Sequence, residues 1–226
     1  MNFTVKSMNE WLYPDDIITN AVPEAGLTAV RGGSVGFQLL CTGLGGGRLR
    51  ASFRSLGSAP YRAELFREIS VNVPENTGLH AFTGDWETAK DYATRKAPFR
   101  VYDALEPIEA GGVESRGGTE ALYASFTVDP ACRAGEYTGE LLVECGCETF
   151  TVPVTLTVAD AVLPAETLKF TNWFTTLRMP EIYGVEPWSE EHWRVIEDHA
   201  RLMRRMHQNV IQVQDVATEA AYIDGG

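Results

Sequence analysis

Residues 148–158 alternate side chains so regularly that they dictate sheet. Val152, Val154, Leu156 and Val158 fall on one face of an extended chain, and Thr151, Pro153, Thr155 and Thr157 on the other. A period of two built from β-branched residues describes a half-buried strand and fits no helix. Upstream, Tyr137-Thr138-Gly139-Glu140-Leu141-Leu142-Val143-Glu144 is a second strand candidate, joined to the first through Cys145-Gly146-Cys147. Gly146 supplies the permissive backbone a tight hairpin turn needs. Pro153 has no amide to give to a ladder, which predicts an edge position or a bulge there.

The first two-thirds of the chain carries the same texture. Phe37-Gln38-Leu39-Leu40 ends in the glycine-rich 43–47, Leu49 to Arg54 alternates in polarity, and the long run 64–73 stops at Pro74. Short strands bounded by Gly and Pro predict an all-β sandwich over residues 1–160. Residues 74–97 follow neither period and read as a long surface loop, with Trp86 and Tyr92 as candidate surface aromatics. Hydrophobic residues make up 44% of the chain, enough for a buried core. The formal net charge is −12, and the acidity is spread: 13 Lys/Arg face 21 Asp/Glu over 1–160, and 6 face 10 over 161–226. No basic stripe is available for a phosphate backbone or an anionic membrane, so nucleic acid and membrane are not expected partners.

The pattern changes after Val158. Residues 159–165 form a short linker, and 168–174 resemble a strand. Ser189 is the expected N-cap of a helix, with Glu190 and Glu191 at the positive end of its dipole. Trp188 and Trp193 have the spacing of a hydrophobic staple, but His192 occupies the position at which a capping box wants Glu. Trp193, Ile196, Ala200, Met203 and Met206 recur at three and four as one apolar stripe. Arg201, Arg204 and Arg205 gather toward the helix end, Asn209 is the expected left-handed stop, and 210–214 read as a second strand. Strand, helix and strand within this span make a β-α-β unit, which implies parallel pairing. One helix and two parallel strands cannot cover both faces of a sheet. The stripe therefore wants a partner: the rest of a larger α/β domain, or a second copy of the chain in a homodimer.

Other chemistry is sparse. The cysteines are Cys41, Cys132, Cys145 and Cys147, and the Cys-Gly-Cys spacing is not that of a zinc ribbon or finger. Four free thiols are expected. His192 and His199 are seven apart on one helix face without a cysteine or carboxylate spaced to complete a metal site, so neither metal nor cofactor is expected. The first residues lack a charged segment followed by an apolar one, and no apolar run reaches the length of a membrane helix. The expectation is a cytoplasmic protein, or a start that lies further upstream.

Several stretches taken together resemble one family. They are Ala29-Val30-Arg31-Gly32-Gly33 with Phe37-Gln38; Ala97-Pro98-Phe99-Arg100-Val101-Tyr102-Asp103-Ala104-Leu105; Gly135-Glu136-Tyr137-Thr138-Gly139; Leu163-Pro164; and Pro187-Trp188-Ser189-Glu190-Glu191-His192-Trp193 through Asn209-Val210-Ile211. In order and spacing they resemble the N-terminal part of bacterial proteins related to glycoside hydrolase family 123. The resemblance implies an antiparallel β-sandwich leader, immunoglobulin-like or galactose-binding-like, over 1–160, and the truncated start of a (β/α)8 barrel over 161–226. It also implies removal of N-acetylhexosamine from glycans by substrate-assisted hydrolysis. In the family an adjacent Asp-Glu pair far along the barrel does this, the Asp orienting the acetamido group and the Glu serving as acid/base. No such pair stands in residues 161–226; Glu190-Glu191 and Glu197-Asp198 lie on the helix and read as solvated surface. No catalytic residue is therefore expected in this chain. Barrel sites form where strands end at their C-terminal side, which makes Asn172, Trp173, Gln214 and Asp215 candidate sugar contacts. Two alternatives stand beside this reading: a stand-alone carbohydrate-binding sandwich using an exposed aromatic, and a structural or interaction module with no sugar ligand.

Overall fold

A computed structural model describes residues 2–55, 61–76, 86, 90, 93–164, 168–171 and 175–210. The chain divides into two compact units, Met1–Leu163 and Pro164–Gly226.

The first unit is built from ten strands: β1 (Asn2–Ser7), β2 (Ala25–Arg31), β3 (Ser34–Leu44), β4 (Gly47–Ser55), β5 (Tyr61–Val73), β6 (Phe99–Pro107), β7 (Val113–Ser115), β8 (Gly118–Val128), β9 (Gly135–Cys145) and β10 (Glu148–Val162). They form two five-stranded sheets, ordered β1-β3-β8-β5-β6 and β2-β10-β9-β4-β7. The first sheet is antiparallel throughout. In the second, β2 runs parallel to β10, from Val154 opposite Ala25 to Val162 opposite Arg31. This corrects the expectation of a purely antiparallel arrangement: the fold is mainly β with one mixed sheet. The long connection from β2 back to β10 through seven other strands is what permits a parallel neighbour.

Both sheets close over one core. Phe37, Leu39, Cys41, Leu122, Ala124 and Phe126 from the first meet Leu49, Leu141, Val143, Val152 and Val154 from the second, all nearly or completely buried. The ring of Phe126 lies edge-on to both Phe53 and Tyr61, at 5.1 and 5.6 Å, a favoured geometry for aromatic pairs. The alternation in 148–158 is fulfilled, since Val152, Val154, Leu156 and Val158 are all 3% exposed or less. The hairpin turns through Gly146 and Cys147, with Gly146 at φ 60°. A Cβ on Gly146 would stand 2.6 Å from the Gly46 carbonyl oxygen, so only glycine fits.

Pro153 sits differently from its expected place. β10 is an interior strand, flanked by β9 and β2. Pairing with β2, however, begins only at Val154, and the irregularity in register falls between Ala159 and Val162. Pro153 is tolerated because on its β2 side the neighbouring strand has not yet begun.

At one end of the core Glu120, 3% exposed, accepts a two-pronged interaction from Arg67, whose Nε and Nη2 lie 3.0 Å from the two carboxylate oxygens. Arg67 Nη1 also donates to the Glu114 carbonyl at 2.9 Å, and the Ser115 hydroxyl donates to Glu120 at 2.6 Å. This satisfies the carboxylate from two sides, as a buried charge requires.

In the second unit α1 (Met179–Tyr183) precedes α2 (Glu190–Arg205). Ser189 caps α2, its hydroxyl accepting from the His192 amide at 3.2 Å, and the rings of Trp188 and Trp193 are 5.5 Å apart. His192 does not complete a capping box, since the Ser189 amide donates to the Glu186 carbonyl at 3.2 Å, but it makes a related bond one residue earlier. Its Nδ1 accepts the Trp188 amide at 2.9 Å, and its Nε2 donates to the Thr176 carbonyl at 3.3 Å. One neutral tautomer, with the proton on Nε2, serves both bonds. The helix ends differently from the sequence expectation. His207, at φ 64°, takes the left-handed turn in place of Asn209. Asn209 instead ties down residues 168–170: its Oδ1 accepts the Phe170 amide at 2.9 Å and its Nδ2 donates to the Leu168 carbonyl at 2.8 Å. Residues 168–171 run irregularly beside this anchor and do not form the expected strand; 172–174 and 211–214, the rest of both expected strands, lie outside the described residues.

Candidate functional site

Side chains two apart on a strand share a face, and the registers place Gln38, Tyr123 and Phe66 in one row across the outer face of the first sheet, with Leu40, Ala121, Glu68 and Leu105 in the next. The rings of Phe66 and Tyr123 are 6.2 Å apart. The segment after β1 crosses this face. Leu12, 2% exposed, packs with Leu40, Tyr102 and Ala121, and its carbonyl accepts the Tyr102 amide at 2.9 Å. Gln38 fastens the near end of the crossing, its Nε2 donating to the carbonyls of Ser7 at 2.6 Å and Glu10 at 2.9 Å. Glu10 in turn receives the Lys6 ammonium and the Ser7 amide, both at 3.0 Å. These two bonds, the lysine's first, hold the Glu10 carboxyl below its ordinary range.

The crossing leaves a cavity of about 450 Å³ lined by Trp11, Gln38, Glu68, Tyr102, Leu105 and Tyr123, among others. Trp11 and Leu105 form an apolar rim, 60% and 47% exposed. The Glu68 carboxyl lines the cavity while being only 4% exposed, and its Oε1 has no hydrogen-bond partner. Burial pushes this carboxyl up from 4.5 to about 7. The Tyr102 hydroxyl donates to the Thr119 carbonyl at 2.9 Å, and burial, then the charge of Glu120, raises its phenol. The cavity is of a size to take a small molecule, and its lining mixes aromatic rings with polar and acidic side chains. Glu68 can either donate a proton to a neutral acceptor or offer a carboxylate to a cation.

Sequence reasoning passed over both Glu68 and Trp11. Alternation in β5 puts Arg62, Glu64 and Glu68 on one face, so Glu68 reads as an ordinary surface charge, and only Arg67 breaks the apolar face. The residues that were singled out are scattered. Asn172, Trp173, Gln214, Asp215 and Tyr92 lie outside the described residues. Trp86 is half-buried, and its carbonyl accepts the Lys90 amide at 2.8 Å, the spacing of a helical turn. Glu190 and Glu191 approach Arg194, and Glu197 and Asp198 approach Arg201; all four carboxylates are more than 60% exposed, so they are solvated pairs on α2. Cys41, Cys132 and Cys145 are buried free thiols and Cys147 an exposed one. Among the described residues no group of three or more His, Cys, Asp or Glu could hold a metal ion, and no helix is long and apolar enough to cross a membrane.

The family model for the catalytic domain of glycoside hydrolase 123 matches residues 173–221. The solved structure of a family 123 glycoside hydrolase from Clostridium perfringens, determined for the details of glycolipid glycan hydrolysis, is similar over 93% of this chain with a TM-score of 0.64 and 12% identity. The chain is thus similar to glycoside hydrolase family 123 in two respects, a catalytic-domain match over 173–221 and a shared fold. It spans 37% of the length of that Clostridium structure. A membrane-anchored protein from Corynebacterium diphtheriae (11% identity, 73% of this chain, 37% of that one) and the PapD-like domain of human CEP192 (15% identity, 61% and 83%) have TM-scores of 0.28 and 0.27, too low to inform the fold. No curated protein matches the sequence. The family 123 match falls within the second unit.

Proposed function

We propose that the chain is the non-catalytic, N-terminal β-sandwich portion of a glycoside hydrolase acting on N-acetylhexosamine-containing glycans. In this reading 1–160 form an immunoglobulin-like or galactose-binding-like sandwich, and 161–226 open a catalytic (β/α)8 barrel. The observation that carries it is the pair of matches: a catalytic-domain match at 173–221 and a fold likeness covering 93% of the chain. In a completed barrel, where later strands would supply the pairing that 168–171 lack here, Asn172 and Trp173 would follow the first strand and Gln214 and Asp215 the second, at the end where sugar-binding side chains of such barrels gather. Trp173 would stack on a sugar face, and Gln214 or Asp215 would bond hydroxyls. The Asp-Glu pair that the family uses has no counterpart in 161–226.

Purified 226-residue protein is expected to give no measurable turnover of aryl N-acetylhexosaminides; robust turnover would move the active site into this chain. The encoding DNA beyond the Gly226 codon tests the other half. An open frame with an Asp-Glu pair after a later strand is expected, and an immediate stop codon would refute the hydrolase reading.

A further inference from the structure

The cavity on the outer face of the first sheet has an unbalanced chemistry. Its lining includes the acids Glu10, Glu68 and Asp103 and neither lysine nor arginine. The charge of Glu10 is answered by Lys6 at 3.0 Å. Glu68 is not answered: its Oε1 is buried without any partner, at the wall of a cavity large enough for a small ligand. A buried carboxyl in this condition costs stability unless something arrives to pair with it. The contrast with its neighbour in sequence is sharp, since Arg67 and Glu120 on the other side of the same sheet satisfy one another with two 3.0 Å bonds. Around Glu68 the walls are aromatic, from Tyr102, Tyr123 and the half-uncovered Trp11.

We propose that this cavity binds a small organic ammonium ion, with Glu68 as counter-ion and the rings of Trp11 and Tyr123 as walls that attract positive charge. An ammonium supplies the positive charge that the buried carboxyl lacks, and it does so even when fully methylated and without an N–H, because the pairing is coulombic. Indole and phenol faces carry negative quadrupole density, so a cation held over them gains further. An anion would meet three carboxyl groups and no basic lining. A neutral polyol would gain from the rings but leave the charge imbalance in place. The proposal concerns residues of the first unit alone and does not rest on the hydrolase reading.

The test is a calorimetric titration of the full chain with choline, with its uncharged isostere 3,3-dimethyl-1-butanol, and with N-acetylglucosamine as a neutral sugar ring. Choline is expected to bind about tenfold or more tightly than the isostere, the difference being the charge. Glu68→Gln, with its thermal midpoint retained or raised, should bring choline down to the level of the isostere, and Trp11→Ala should weaken choline binding in a chain whose unfolding is otherwise unchanged. Equal binding of choline and the isostere, absence of choline binding, or full binding by folded Glu68→Gln would each overturn the proposal. Binding of N-acetylglucosamine without choline would overturn it in favour of a neutral sugar site. Failure of the hydrolase reading, seen in the downstream frame, would leave the choline result unaffected.

Discussion

Replacing Glu68 by Gln should make the protein more stable at alkaline pH and leave it nearly unchanged at acid pH. The side chain is 4% exposed and one oxygen has no partner, so the folded state favours the neutral acid. Its carboxyl is pushed from 4.5 to about 7 by burial. Between those values the folded protein keeps a proton that the unfolded chain releases, so stability falls as pH rises through this window. The stabilising protonation is fully present below about 4.5, and its loss is complete above about 7. At about 1.4 kcal/mol for each tenfold change in proton affinity, the alkaline cost is about 3 kcal/mol. Gln keeps the shape and carries no charge to desolvate, so the variant avoids this cost. In a unit of this size, 3 kcal/mol corresponds to about 6–12 °C in melting temperature. Thermal unfolding of both proteins, followed by circular dichroism from pH 4.5 to 9, should give curves that meet near the acid end and diverge above neutrality. Parallel curves, or a variant that loses ground as pH rises, would refute the argument that Glu68 is an unpaired buried acid.

Arg67→Met should destabilise the first unit by about 3–5 kcal/mol, because it leaves the buried Glu120 without its bidentate partner; urea unfolding at pH 7 measures this. Ser189→Ala should cost about 1 kcal/mol of local helix stability by removing the acceptor for the His192 amide, read as faster hydrogen exchange of that amide.

Local pattern accounts for much of the first unit. The alternation in 148–158, the hairpin through Gly146 and the run ending at Pro74 appear as β10, its turn and β5. The cap at Ser189 and the Trp188–Trp193 contact were equally legible, because capping depends on residues within one turn of each other. Side-chain type misled where it was read too narrowly. His192 cannot complete a capping box, yet its imidazole nitrogen accepts the Trp188 amide, one residue before the cap, as a carboxylate could. Asn209 favours a left-handed turn by propensity, yet its amide is worth more as a clamp on the Leu168 carbonyl and the Phe170 amide, bonds that local sequence cannot announce.

The candidate site lies on the other side of that divide. Alternation tells which residues of β5 share a face, but whether that face meets water, a second sheet or a crossing segment depends on strands far apart in the chain. Glu68 became a buried, unpartnered acid only when 8–12 crossed the sheet and Leu12 settled among Leu40, Tyr102 and Ala121. The parallel partnership of β2 with β10, and with it the tolerance of Pro153 in an interior strand, was decided in the same way. The sequence by itself determined which stretches extend, turn or coil, because those preferences act over a few residues. Tertiary structure alone decided which faces are covered and which charges are left without partners, because burial is a property of the whole assembled fold.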